Sequence, residues 1–338
     1  MEQVLLERDQ FRELVFERDR NKCVICGAPG QDAHHITERR LFPDGGYYLD
    51  NGATLCGPCH WKAETTELSV SEILHSIGVT HRVLPPHLYP DQDYDKWGNP
   101  ILANGRRLRG ELFDDENVSK ALSSSLHLFD TRVKYPRTYH LPFSPGVSSD
   151  DRVMESYTDL EGFEVVVTEK LDGENTSWYN NAYHARSVDS ETSVWQHRVK
   201  AMWAARAHEI PPNYRICGEN VYAQHSIPYS NLLSYFYVFG VWSGLTCLSW
   251  ADTLEWAELL ELPVVPILYS GLWNEEAVME LALGLDRNKQ EGLVVRRTDP
   301  IHIRSWSTQV GKWVRQDHVQ TTHHWKHQQI IPNKLIGE

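Results

Sequence analysis

Long hydrophobic runs are what this chain of 338 residues most plainly lacks. No apolar stretch approaches the ~20 residues that a membrane span needs, and the N-terminus, MEQVLLERDQFRELVFERDR, is charged and amphipathic rather than a leader. The chain is therefore expected to be cytoplasmic, with no membrane partner. Positive charge is short as well. The formal net charge is -13, which argues against a protein that coats nucleic acid nonspecifically but leaves room for an enzyme with a local basic groove. No internal repeat and no low-complexity segment is present, so repeat architectures are not expected. Cysteine is scarce, and four of the six fall in two Cys-x-x-Cys pairs, Cys23/Cys26 and Cys56/Cys59. In a reducing compartment that spacing favours metal over disulfide. Cys217 and Cys247 lie in apolar runs and are expected as buried thiols.

What is abundant is aromatic: twelve tryptophans and fifteen tyrosines, suited to stacking surfaces or to an aromatic core. The length suits two domains. Residues 4 to 19 read as a helix, with Val4, Leu5, Phe11, Leu14, Val15 and Phe16 available for an apolar face. Then come Cys23-Val-Ile-Cys26-Gly27, Asp32-Ala33-His34-His35-Ile36, a Gly45-Gly46 turn, Asn51, and Cys56-Gly-Pro-Cys59-His60. Two pairs at this separation predict a closed tetrahedral Zn2+ site of four thiolates, whose role is folding. Residues 62 to 80 read as helical, opening at Lys62 and again at the capping box Ser69-Val-Ser-Glu72. From 81 to 118, Pro85-Pro86, Pro90, Pro100 and Asn104-Gly105 break any long element. This is a structured connector or an inter-domain arm, whose Arg106, Arg107 and Arg109 either touch phosphate or form a solvated face.

In the second half, the run Phe163 to Val167 reads as a buried strand that delivers Lys170, after which Gly173 allows a sharp turn. A lysine at a pocket mouth is a nucleophile if desolvation or nearby cations lower its pKa; otherwise it is a surface lysine beside an Asp-Gly turn. A hairpin follows over 177 to 186 through Asn180-Asn181. Helices are expected over 194 to 209, 249 to 262 and 274 to 283. Strands are expected over 215 to 222, 235 to 242, 264 to 269, 291 to 297 and 310 to 315.

The pair His34-His35, with Asn51 and with His60 directly after the last cysteine, resembles the HNH nucleases. The resemblance implies a ββα-metal core, His34 and His60 as ligands of a divalent metal, His35 as general base and Asn51 as its orienter. A zinc module that binds without cutting is the alternative. Five stretches in order, Lys170-x-Asp172-Gly173, Gly218-Glu219, the aromatic strand 235 to 242, Glu291-Gly and Lys312-x-x-Arg315, resemble the covalent nucleotidyltransferases. Glu169, Asn175 and the upstream Tyr135-Pro-Arg-Thr-x-His-Leu-Pro run are similar to the nick-sealing RNA ligase branch.

That second resemblance implies that Lys170 becomes AMP-linked and that Lys312 and Arg315 contact the α-phosphate. Glu219 and Glu291 place magnesium and the nucleotide sugar, and Arg186 contacts nucleotide or 5′-phosphate. Phe239 stacks on adenine, with Phe236 the rival; Glu169 bonds the adenine edge and Asn175 serves the sealing steps. Two features depart from the family pattern. The second cation, Arg315, stands three residues after Lys312, and Gly240 follows Phe239 where an aspartate is usual. About 23 residues follow Arg315, so grip on the substrate is expected from the zinc module or from the basic tail Lys312 to Lys326.

The expected protein is α+β. Residues 1–80 form an HNH-like ββα zinc module, 81–120 a connector, and 121–338 an antiparallel-sheet nucleotidyltransferase core with flanking helices. Its expected function is ATP-dependent polynucleotide ligation, as in RNA repair, joining 3′-hydroxyl to 5′-phosphate ends. ATP, Mg2+ or Mn2+, and Zn2+ are the implied cofactors. The partner is nucleic acid, RNA (duplex or nicked) ahead of DNA. The alternatives are an HNH endonuclease whose ligase-like half is inactive or senses nucleotide, and a DNA ligase.

Overall fold

A computed structural model describes residues 4–149, 151–188, 193–316 and 330–337. Residues 317–326 of the basic tail lie outside the described residues. The chain divides into two compact units, one ending at Val133 and one starting at Lys134. Among the described residues no helix is long and apolar enough to cross a membrane.

The first unit opens with α1 (Arg8–Arg18), which buries Phe11 and Val15, one helical turn apart. Val4, Leu5 and Leu14, expected on that face, are exposed. The helix covers a short antiparallel hairpin of β1 (Asp32–His35) and β2 (Gly52–Leu55), in which His34 faces Ala53 and His35 faces Gly52. Directly after Cys56 comes α2 (Gly57–Glu64), with Pro58 in its first turn, where no amide donor is needed. The helix expected over 62 to 80 is broken at Thr66, whose φ is +62°. It restarts as α3 (Val70–Ser76) behind the predicted Ser69/Glu72 capping box. Ile36, Leu55, Ala63 and Ile73 form the core between these elements.

The stretch after residue 80 folds back within this unit. Its hub is the buried carboxylate of Asp95, which accepts from the Trp97 and Asn99 amides, the Asn99 side chain and Arg107. Arg107 is thus committed to an internal ion pair, and Arg109 lies over the Phe113 ring. The last α-helix of the unit is the short α4 (Glu116–Ala121).

The second unit is built on two sheets. Its strands are β3 (Tyr139–His140), β4 (Glu164–Lys170), β5 (Glu174–Trp178), β6 (Tyr183–Ala185), β7 (Tyr214–Asn220), β8 (Phe236–Ser243), β9 (Thr246–Cys247), β10 (Ile267–Leu272), β11 (Gly292–Arg297), β12 (Ile301–His302) and β13 (Val310–Val314). Five form one sheet in the order β10-β4-β11-β13-β3, and six form the other in the order β12-β9-β8-β7-β5-β6. All pairings are antiparallel except β13 with β3, which is parallel. Helices α5 (His197–Arg206), α6 (Trp250–Leu259), α7 (Glu275–Gly284) and the single turn α8 (Trp306–Gln309) flank them. The strand expected at 264 begins only at Ile267, because Pro266 has no amide to give the ladder.

Consecutive strands β4 and β5 belong to different sheets. The link 171–173 therefore carries the chain from one sheet to the other. Gly173 is required there by close approach: a Cβ would run into the Asn220 carbonyl. Its φ is not in the left-handed region that the turn reading implied.

Candidate active site and candidate metal centres

A cavity of about 570 Å³ opens in the second unit, lined from both sheets. Period-2 alternation along β4 buries Val165 and Val167 in one core and leaves Lys170 at the strand's end, in the cavity wall. Lys170 pairs in register with Gly292 of β11, which brings the preceding residue, Glu291, against it. The Lys170 Nζ lies 2.6 Å from Glu291 Oε2, and Glu291 is only 5% exposed. Burial alone would lower the lysine's pKa. The carboxylates of Glu291, Glu219 and Asp172 outweigh it and hold the ammonium above its ordinary value.

Glu219 reaches the same wall from β7, beside Asn175 of β5. Burial pushes its carboxyl up to about 8, against the pull of Lys170 and with Glu291 adding to the rise. Glu169 also lines the cavity; burial raises its carboxyl, and the side-chain amide of Gln290 donates to it at 3.0 Å. Gly173, Asn175, Arg186, Phe239 and Lys312 complete the predicted residues found in the lining. The Asn175 Oδ1 is buried with no partner among the described residues. Phe236, the rival to Phe239, is fully buried and stacks on Trp178 with centroids 4.0 Å apart.

Two predicted residues do something other than expected. Arg315 is not in the lining; it donates to the Arg287 carbonyl. Three residues along a strand reverses the face, so Arg315 cannot stand beside Lys312. Asp172 is likewise outside the lining. Its Oδ2 accepts from the Ser226 and Ile227 amides and the Ser226 hydroxyl, so it anchors the 225–229 loop. The partner of Lys312 is Asp151, 3.2 Å away, which no sequence signal marked. Burial lowers the Lys312 ammonium, Asp151 opposes the drop, and Lys170 and Arg186 add to it. The same Asp151 oxygen lies 3.3 Å from Nε2 of the buried His140.

In the first unit the four predicted cysteines converge, with all four sulfurs within 4.8 Å of one another. Burial and its three fellow cysteines push Cys59 up to about 12. Four thiols this close cannot all ionise without a cation among them, and that donor set fits a divalent metal. A second cluster joins His34, His60 and Glu64, again within 4.8 Å. Glu64 stands one turn after His60 on α2, a spacing legible in the sequence but not singled out there. Its Oε1 lies 3.4 Å from His34 Nδ1, 3.2 Å from His60 Nε2 and 3.2 Å from the Nζ of buried Lys96. Lys96 comes from the stretch read as a connector, and it also pairs with Glu38 at 3.1 Å.

His35 points away from that cluster, as strand alternation requires, and stacks on Phe11 with centroids 4.6 Å apart. Burial, then Lys96, lower its pKa to about 4. Asn51, expected to orient His35, is buried and bonds backbone instead: its side chain receives the Thr37 amide and donates to the carbonyls of Thr37 and Gly46. It holds the loop after β1 and not the imidazole.

None of the curated proteins compared with the chain matches it. Among solved structures it is similar to an archaeal ATP-dependent RNA ligase, at 16% identity over 54% of this chain and 48% of that one, with a TM-score of 0.39. It is similar to a putative ATP-dependent DNA ligase from Aquifex aeolicus at 20% identity, over 54% and 50%, with a TM-score of 0.38. The Naegleria gruberi RNA ligase is similar at 19% identity, over 60% and 67%, with a TM-score of 0.37. The chain spans about half the length of the first two. Residues 163–314, which carry β4 to β13 and much of the cavity wall, match the family model described as RNA ligase.

Proposed function

We propose that the second unit is an ATP-dependent RNA ligase with Lys170 as its nucleophile. The observation that carries this reading is the contact at 2.6 Å between Glu291 and Lys170, a lysine in the wall of a cavity that Glu219, Arg186, Lys312 and Phe239 also line. The match of residues 163–314 to the RNA ligase family model supports it. Neutral Nζ attacks the α-phosphorus of ATP; the N–P bond forms, the bond to the β-phosphate oxygen breaks, and pyrophosphate leaves. AMP then passes to a 5′-phosphate, and a 3′-hydroxyl displaces it to close the phosphodiester. Glu291 is placed to receive the lysine proton, Lys312 and Arg186 to face phosphate oxygens, and Phe239 to meet the base. The carboxylate oxygens of Glu219 and Glu291 suit Mg2+, whose charge favours the neutral amine that attack requires.

The test is label transfer from α-labelled ATP to the protein with Mg2+ and no nucleic acid. A covalent band is expected in wild type and its loss in Lys170→Ala. No band in folded wild type would sink the reading. Sealing of nicked RNA against nicked DNA then separates RNA from DNA ligase.

A second reading concerns the first unit alone. The convergence of His34, His60 and Glu64 favours an HNH-type nuclease, with those three holding a divalent metal; His35, on the opposite face of β1, does not stand beside it. Zinc on the four cysteines would hold the fold. Mn2+-dependent nicking should vanish in His60→Ala while the lysine label persists; nicking that survives the substitution would remove the cluster from that role.

A further inference from the structure

The described part of the first unit holds another cavity, of about 340 Å³, on the α1 side of the hairpin. It is walled by Arg8, Arg12, Arg39, His35, Tyr47 and Asp9. Strand alternation separates it from the His34, His60 and Glu64 cluster, because His35 leaves β1 on the opposite face.

Two features say what it takes. The first is charge. Three guanidiniums face one carboxylate, on a chain whose net charge is -13. Arg12 donates to the Gln31 carbonyl at 3.3 Å and Arg39 to the Tyr47 hydroxyl at 3.2 Å, so each keeps further N–H groups to give. The Tyr47 hydroxyl, accepting from Arg39, keeps its own proton to donate. The second is the imidazole. Phe11 stacks on His35, and the Tyr47 ring meets it edge-on at 5.2 Å. That fixes the ring, yet its Nε2 is buried and has no partner among the described residues. Exposed guanidinium donors around one orphaned buried nitrogen suit an anion with several oxygens.

We propose that this cavity binds a backbone phosphate of a nucleic-acid strand. Arg8 and Arg12 are neighbours on one face of α1, and Arg39 approaches from the loop after β1. Charge spread over two elements suits the repeating phosphates of a strand better than one small ion. The proposal needs neither the lysine chemistry of the second unit nor cleavage at the His34, His60 and Glu64 cluster.

The experiment uses the full zinc-loaded chain without added Mg2+ or Mn2+ and follows the anisotropy of a labelled single-stranded RNA across a salt series. Arg12→Gln/Arg39→Gln should weaken binding about tenfold or more at low salt. Because single strands release about 0.7 counterion per neutralised phosphate, the log–log salt slope should fall by about 1. Label transfer to Lys170 should not change. Arg8→Gln should weaken binding in the same direction, and Arg12→Lys/Arg39→Lys, which keeps the charge, should retain most of the salt slope. If the double glutamine variant does not fold, these two carry the test. Unchanged affinity and slope in variants that melt and hold zinc like wild type would overturn the proposal. So would inorganic phosphate protecting the wild type against heat while RNA binding ignores the arginines, since the pocket would then serve a free ion.

Discussion

At the scale of the residue, Lys170 shows what an electrostatic neighbourhood does to a reactive group. Three carboxylates keep it protonated in the ligand-free protein, the opposite of what a nucleophile needs. Only a cation bound among those carboxylates would reverse the field and favour the neutral amine. Glu219 shows the other side of the same crowding. Its carboxyl is raised from an ordinary value of 4.5 to about 8, chiefly by burial. The folded state then holds a proton that the unfolded chain has lost between those two values. The stability this contributes is complete below about pH 4.5 and disappears as pH rises through about 8. Ligand-free protein should accordingly lose melting temperature between pH 5 and 8.5, and Glu219→Gln should flatten that slope relative to wild type. Parallel pH profiles of the two proteins would exclude the raised carboxyl. The Lys170 and Glu219 positions were legible as strand-end charges in ordered motifs. Asp151 and Lys96 were not legible, because each acts through a partner distant in sequence; Glu64, one turn after His60, was legible but not singled out.

At the scale of the element, most strands and helices were readable from periodicity and breakers. The Ser69 cap, the hairpin through Asn180-Asn181 and the aromatic strand β8 follow from local chemistry alone. Where the reading failed, a nonlocal contact or a proline decided. The helix face expected from Val4 and Leu5 stays exposed because α1 starts only at Arg8. The link through Gly173 is the most constrained connection, since it joins Lys170 in one sheet to Asn175 in the other across the Asn220 carbonyl. Gly173→Ala should force that turn apart, costing about 1–3 kcal/mol of stability by overpacking and most of the label transfer to Lys170. Urea unfolding together with the ATP label would measure both. A variant with wild-type midpoint and wild-type transfer would show that the backbone there has room to give.

At the scale of the whole molecule, composition and motif order determined a great deal by themselves. An acidic chain without long apolar runs, two cysteine pairs at metal spacing, and a lysine at the end of a hydrophobic strand all follow from chemistry written locally. So do the strand ends that carry Glu219, Glu291 and Lys312. Tertiary structure alone decided which charges meet. Two sheets bring Lys170, Glu219 and Lys312 to one cavity, set Glu291 against Lys170 from behind its lining, and turn Arg315 and Asp172 away from it. In the first unit the fold returns Lys96 to the Glu64 carboxylate, and strand alternation parts His35 from His34. The physical reason is the same in each case. Periodicity says which side of its own element a side chain leaves, but which charge lies opposite depends on chain returns of tens to hundreds of residues, and no local pattern encodes them.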